Sequence, residues 1–410
     1  MNTEKLIPHL FRTESRKISA VLNKHFGIDH MEIAEDIVSD TFLSALETWP
    51  YKGIPENPKA WLYAVAKNKT KNYILKTSNF ENNIAHQIFQ MSEISTEIDL
   101  SERNISDSQL QMLFAIWHPS ISEESQIALA LKILCGFGID EIASAFLTNK
   151  ETINKRLFRA KEKLKSEKIK IEFPSENKVI ERIDTVLLTL YLLFNEGYYS
   201  ENQDTVIRKD LCFESIRLLE LLIENYAHKI PKIHALYALM CFHSSRFDAR
   251  KDQNNQTVLY QNQDENLWDK ALIKKGIFHL HLASKGETAS KYHIEASIAY
   301  WMTQKQDSIE KWEQVLKLYN LLLFQEYSPI AALNRTFALS KVHGNKIAIA
   351  EAEKLKLESN PFFFSLLGEL YLTIDFSKAK QNFEKALSLS NSNHEKEILH
   401  KKIAALSFQK

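Results

Sequence analysis

The chain has 410 residues, room for two or three domains that each bury a core, and 44% hydrophobic with 25% charged residues places it in the ordinary globular class. Its 52 basic and 52 acidic side chains cancel, so total charge gives no sign of a nucleic-acid partner. Cys135, Cys212 and Cys241 are few, odd in number and without CxxC spacing, which excludes a disulfide framework and a cysteine zinc site and fits a reducing cytoplasm. No apolar run approaches the roughly 20 residues of a membrane span, and Met1 to Lys5 opens no apolar signal segment, so neither export nor membrane insertion is expected.

Nine Gly and nine Pro among abundant Leu, Ile, Ala, Lys and Glu favour helix throughout, and the predicted fold class is all-α. Charge is unevenly placed along this helical chain. Lys59 to Lys76 holds five lysines and no acid, Thr77 to Ser106 holds five acids and one Arg, and Lys150 to Lys170 holds nine basic residues against three Glu. Two basic helices separated by an acidic linker are hidden in the neutral total. The predicted domains are 5–76, an acidic linker 77–106, a second helical block 107–172 closed by Phe173-Pro174-Ser175, and a long helical region 179–410.

In the first block, Ala34, Ile37, Val38, Thr41, Phe42, Ala45, Leu46 and Trp49 recur at helical spacing and predict a buried stripe. Asp36, Asp40, Leu43 and Glu47 gather on another face, three carboxylates around an exposed leucine. That pattern suits a solvated charged face or a docking surface for a basic partner. The next helix starts at Pro58, as helix entry prefers. Leu62, Val65, Ala66 and Tyr73 can face the core, leaving Tyr63, Lys67, Asn68, Lys71 and Asn72 along an outward strip. Lysines can neutralise phosphates, amides can read base edges and aromatic rings can stack on bases; a plain solvated lysine face is the alternative.

Residues 139–165 have a helix-turn-helix pattern. Ile142, Ala143 and Phe146 form the inner side of a short helix, and Leu147-Thr148-Asn149 is the turn. Thr148 with Glu151 has capping-box spacing, and Ile153, Leu157, Ala160 and Leu164 form the buried stripe of a longer helix. Lys150, Thr152, Asn154, Lys155, Arg156 and Arg159 are the candidate groove contacts, with Asn suited to adenine and Arg to guanine or phosphate. Two ordinary packed helices would give the same pattern. Leu147 stands where Gly is common, which requires a turn without a left-handed residue there or a strained one.

These segments, in this order, resemble the extracytoplasmic-function group of sigma-70 RNA polymerase sigma factors. Ala34 to Trp49 looks like region 2.2, Pro58 to Tyr73 like regions 2.3 and 2.4, and 139–165 like region 4. The resemblance implies that Asp36, Asp40, Leu43 and Glu47 face core RNA polymerase. It implies that Trp61, Tyr63, Lys67, Asn68, Lys71 and Asn72 meet the single-stranded −10 element of promoter DNA. It implies that Lys150, Thr152, Asn154, Lys155, Arg156 and Arg159 read the −35 duplex. Lys67, Lys69 and Asn72 depart from the Arg and Asp common in the group. The strings 107–119, 186–199 and above all Leu192 to Tyr198 (LLFNEGY) resemble the subgroup with a tetratricopeptide-like C-terminal extension, which implies regulation of the N-terminal module in cis.

In that extension, Leu366 to Tyr371 followed by Ala379, Phe383 and Ala386 keeps the tetratricopeptide order, and Ala331 to Leu339 with Ile347 to Leu355 makes a second helix pair through Gly344. Stacked pairs build a concave surface that commonly holds a helix or peptide, unless the array is purely structural. Asn195 to Tyr198 reads as a helix-end packing feature rather than a ligand site. No HExxH, Walker A, GxSxG or complete dinucleotide loop is present, so neither an enzyme nor a cofactor is expected. The other reading is a helix-turn-helix regulator with a ligand- or protein-sensing helical domain, which would bind duplex DNA without polymerase. A tetratricopeptide scaffold that binds no DNA would leave both lysine helices without a role.

Overall fold

With glycine and proline scarce, the described residues are mostly helical. The computed structural model describes residues 3–82, 98–146, 148–198, 209–226, 230–250, 252, 258, 260–286, 288–390 and 393–407, and every regular element among them is helical. The fold is therefore all-α. Two units meet between Leu192 and Leu193.

The first unit contains α1 (Thr3–Phe26), α2 (Met31–Lys52), α3 (Pro58–Asn82), α4 (Glu102–Ile116), α5 (Glu123–Leu129), α6 (Ile139–Ala145) and α7 (Lys150–Ser166). It ends within α8 (Glu176–Tyr198), so the division falls inside a continuous helix. Helices α1, α2 and α3 share a core of Ile18, Leu22, Ile37, Phe42, Trp49, Leu62 and Ala66, reinforced by edge-to-face rings at Phe11/Phe42 (5.0 Å) and Trp49/Trp61 (5.4 Å). The stripe predicted on α2 is buried except for Leu46, which is 53% exposed. The inward arc closes at Ala45 and Trp49, and Leu46 turns to the solvent side.

Of the expected linker 77–106, residues 83–97 lie outside the described residues. Helix α3 runs to Asn82, and Ile98, Leu100 and Ile105 are buried in the α1–α3 core. Asp99 accepts from the Ser101 amide (2.8 Å) and hydroxyl (2.9 Å), while the Asn104 side-chain amide donates to the Asp99 carbonyl (2.6 Å). That knot fixes the entry to α4, with Ser101 as its N-cap. Its bonds from Ser101 hold the Asp99 carboxyl below its ordinary range. Helix α4 is buried on every side from Ser108 to Ile116.

After α5 the helix widens through Ala130–Leu134, where the Cys135 amide reaches back to the Ala130 carbonyl (3.0 Å). Gly136 then takes a left-handed φ of 72° and admits the chain to α6. Helix α7 buries Ile153, Leu157, Ala160 and Leu164, as the periodicity predicts. Its N-cap is Asn149, whose side chain accepts from the Thr152 amide (2.8 Å), one residue later than the expected Thr148. Asn149 leads the N-cap preferences, and its amide oxygen spans the three-residue reach. Leu147 lies outside the described residues.

The second unit continues with α9 (Lys209–Tyr226), α10 (Pro231–Ser244), α11 (Lys270–Ala283), α12 (Lys291–Trp301), α13 (Ile309–Gln325), α14 (Pro329–His343), α15 (Asn345–Glu353), α16 (Pro361–Tyr371), α17 (Phe376–Leu389) and α18 (Asn393–Ser407). Successive helices pack on each other, most extensively α10 on α11, α13 on α14 and α16 on α17. Two of these crossings use glycine for close approach. A Cβ on Gly276 would lie 2.6 Å from the Phe242 ring, and one on Gly368 would lie 2.5 Å from the Phe383 ring. At the end of α8, Tyr198 is buried and stacks near Phe194 (5.8 Å) and His243 (4.6 Å).

Candidate nucleic-acid interface

Because Ala34, Ile37, Thr41, Phe42 and Ala45 turn inward, α2 must present Asp36, Asp40, Leu43 and Glu47 outward, and all four are exposed. Among the described residues the face is open apart from a loose pairing of Lys69 with Asp40 at 3.9 Å. Exposed Leu46 lies one turn from Leu43, so the carboxylates frame two apolar side chains rather than one. Helix α3 likewise exposes Lys67, Asn68, Lys71 and Asn72.

Trp61 and Tyr63 are placed differently from those four residues. Trp61 is half-buried and packs edge-on against Trp49. The Tyr63 hydroxyl donates to Glu14 at 2.7 Å, and burial followed by that bond pushes its ionisation far above the ordinary phenol range. Glu14 is 1% exposed and also receives Lys17 (3.1 Å) and Lys59 (3.6 Å). Burial alone would raise the Glu14 carboxyl pKa; the Tyr63 bond and the two lysines outweigh it and bring the value below the ordinary 4.5. The contribution to stability is therefore complete above pH 4.5 and is lost as pH falls below it. Glu14→Gln is expected to destabilise unit 1 by about 1–3 kcal/mol at pH 7, with the deficit shrinking below pH 4.5; urea unfolding across that range checks it. An equal deficit at every pH would mean that Glu14 acts by packing alone.

On α7, Lys150, Thr152, Asn154, Lys155 and Arg159 are exposed. Arg156 is turned aside: it pairs with Glu124 of α5 (2.6 Å) and covers the Phe146 ring (4.9 Å). Lys150 pairs with Asp140 (2.6 Å) and Lys155 with Glu151 (2.7 Å). Lys163 and Lys165 pair with Glu167 and Glu162, and Lys161 with Glu35 of α2 at 2.7 Å. Arg12 of α1 likewise bonds Glu141 of α6 (3.1 Å). The six groove candidates thus share a helix, and five of them are exposed, two of those, Lys150 and Lys155, already ion-paired. Sequence reasoning missed Phe158, an exposed ring on that helix; its place off the buried stripe of 153, 157, 160 and 164 was the available signal.

Residues 10–80 match the family description "Sigma-70 region 2", which groups the α1–α3 bundle with the sigma-70 factors. Residues 182–284 match a family of unknown function, DUF6596. Over 132 residues the chain is 26% identical to the ECF RNA polymerase sigma-E factors of Salmonella typhimurium (strain LT2) and Escherichia coli (strain K12), covering 31% of this chain and 69% of theirs. It is 30% identical over 375 residues to the uncharacterized protein R00370 of Rhizobium meliloti (strain 1021), covering 89% of this chain and 88% of that one. The chain belongs to the same family as that Rhizobium protein. No solved structure matches it.

Proposed function

We propose that the chain is an initiation factor of the extracytoplasmic-function sigma type, acting in the cytoplasm. The region 5–76 would bind core RNA polymerase through Asp36, Asp40, Leu43 and Glu47 and the −10 strand through the α3 strip. The helix-turn-helix of 107–172 would read the −35 duplex through α7. The second unit would act in cis as a tetratricopeptide-like helical array that also receives a helix or peptide. The reading rests chiefly on one combination: a bundle matching sigma-70 region 2 that leaves its carboxylate face and its lysine strip both open.

On α3, Trp61 and Tyr63 would support the strip from beneath, and Lys67, Asn68, Lys71 and Asn72 would meet the strand. Base extrusion costs a few kcal/mol, which stacking and phosphate contacts offset. Among the described residues no helix is long and apolar enough to cross a membrane.

Multi-round transcription with purified core polymerase on genomic fragments tests the reading. Specific start sites support it; duplex binding without polymerase and no start sites would favour the helix-turn-helix regulator. Asp40→Arg places a cation on an exposed acid face, so core-polymerase affinity is expected to fall by about tenfold or more with helical content unchanged. Gel-shift of the polymerase complex alongside circular dichroism measures both, and undiminished affinity would remove this face from the reading.

A further inference from the structure

The second unit buries cations that no described carboxylate contacts directly. Arg246 is 8% exposed; among the described residues its guanidinium meets the Tyr198 hydroxyl at a long 3.5 Å and lies 5.5 Å from the centre of the Tyr260 ring, and its Nε has no hydrogen-bond partner. Lys311 is 2% exposed, with Nζ donating to the Tyr260 hydroxyl (2.9 Å) and the Gln304 carbonyl (2.6 Å). Lys305 stands 5.7 Å from the same ring and donates to the carbonyls of Tyr260, Gln261 and Gln263. Arg250 lies over Tyr198 at 4.0 Å.

Three cations thus gather around one tyrosine, in a region that also holds His243 neutral, through burial first and then the fields of Arg246 and Arg250. For Lys311 the carboxylate nearest in effect is Asp307, which Lys341 (3.2 Å) and the Trp312 indole already occupy. Burying a cation without an anion is costly, and aromatic faces offset only part of that cost. The ammonium of Lys311 responds accordingly: burial pushes its pKa down, with Asp307 opposing.

We propose that this cluster is a binding site for a small oxyanionic ligand, a phosphoryl or carboxyl group held by the Arg246 guanidinium and the Lys311 ammonium against the Tyr260 ring. Spare donors make this chemistry specific. A guanidinium carries five N–H groups in a planar fork that matches two oxyanion oxygens, and Arg246 spends one on a long bond. Lys311 has a third proton uncommitted after its two short bonds. Both side chains are buried, so neither offers an exposed surface to a macromolecule. The site lies wholly within the second unit and does not depend on the initiation-factor reading, so each can fail alone.

The experiment is titration of the full chain with inorganic phosphate at constant ionic strength, set by chloride, with binding read by calorimetry and thermal melting, and with succinate as a parallel carboxylate arm. Phosphate stabilises many proteins non-specifically, so saturation and dependence on the named residues are decisive. A saturable response is expected for at least one anion, and the tighter of the two identifies the group. Arg246→Gln and Lys311→Met are each expected to raise Kd by about tenfold or more, Arg246→Lys by less because charge survives without the fork, and the exposed-residue control Lys346→Gln not at all. If Arg246→Gln fails to fold, Lys311→Met and Lys305→Met carry the comparison. A response that does not saturate, or that persists unchanged in Lys311→Met, overturns the proposal.

Discussion

Tethering α7 to α2 is expected to reduce promoter-specific transcription by about tenfold or more, because the two promoter elements are farther apart than unit 1 is wide. At roughly 3.4 Å per base pair, centres at −10 and −35 lie about 85 Å apart on straight duplex. A compact unit of this length is about 40 Å across by the usual scaling of size with chain length. The Lys161–Glu35 and Arg12–Glu141 pairs draw α7 and α6 onto α2 and α1. A factor that reads both elements at once must break these contacts. Surface ion pairs contribute about 0–1 kcal/mol each, so polymerase binding could supply the opening.

A short bis-maleimide bridge between Glu35→Cys and Lys161→Cys, on a linker cleavable by reductant, makes the test reversible. The native Cys135, Cys212 and Cys241 are buried and are spared by brief labelling. Activity should be low when bridged and return on cleavage. Full activity in the bridged form would exclude separation of the two helices as a requirement for initiation.

Gly368→Val is expected to lower the stability of unit 2 by about 3 kcal/mol, at the upper end of the cost of overpacking. The added Cβ would meet Phe383 at 2.5 Å, and that ring is fully buried in the cluster with Ala379, Ala386 and Leu399. It cannot step aside without opening the α16–α17 crossing. For a domain of about 200 residues the loss corresponds to a melting shift of about 6–12 °C. Phe383→Leu in the same chain should recover part of it by removing the ring edge. Melting of the single and double variants measures both, and an unshifted Gly368→Val would mean that the two helices are free to move apart. Gly276 against Phe242 repeats this device on α11 and α10, where the sequence shows no comparable motif.

Periodicity made much of the first unit legible. The buried sides of α2 and α7 follow from spacing alone, since burial repeats with the helical turn. Leu46 escaped because the edge of an apolar stripe is set by the neighbouring helix, which spacing does not contain. Tyr63 escaped because its partner Glu14 is 49 residues away, and Arg156 because Glu124 and Phe146 belong to other elements. The polar composition of 77–106 concealed Ile98, Leu100 and Ile105, three isolated apolar side chains buried on either side of the knot at Asp99. In the second unit, a gathering of Arg246, Tyr260 and Lys311 across 66 positions of chain leaves no periodic trace.

The ion pairs along α7 change how the chain should behave among bulk chromosomal DNA. Six of the nine basic side chains between Lys150 and Lys170 already hold carboxylates, through Asp140, Glu151, Glu124, Glu35, Glu167 and Glu162. A phosphate approaching this helix displaces an internal anion instead of filling an empty seat, so fewer counterions are released than a count of lysines and arginines implies. With zero net charge and a Debye length of about 8 Å at cellular salt, the intact chain exerts little pull on distant duplex. Random sequence is then a weak sink for the protein, and productive contact with a promoter falls to the partner that carries it there.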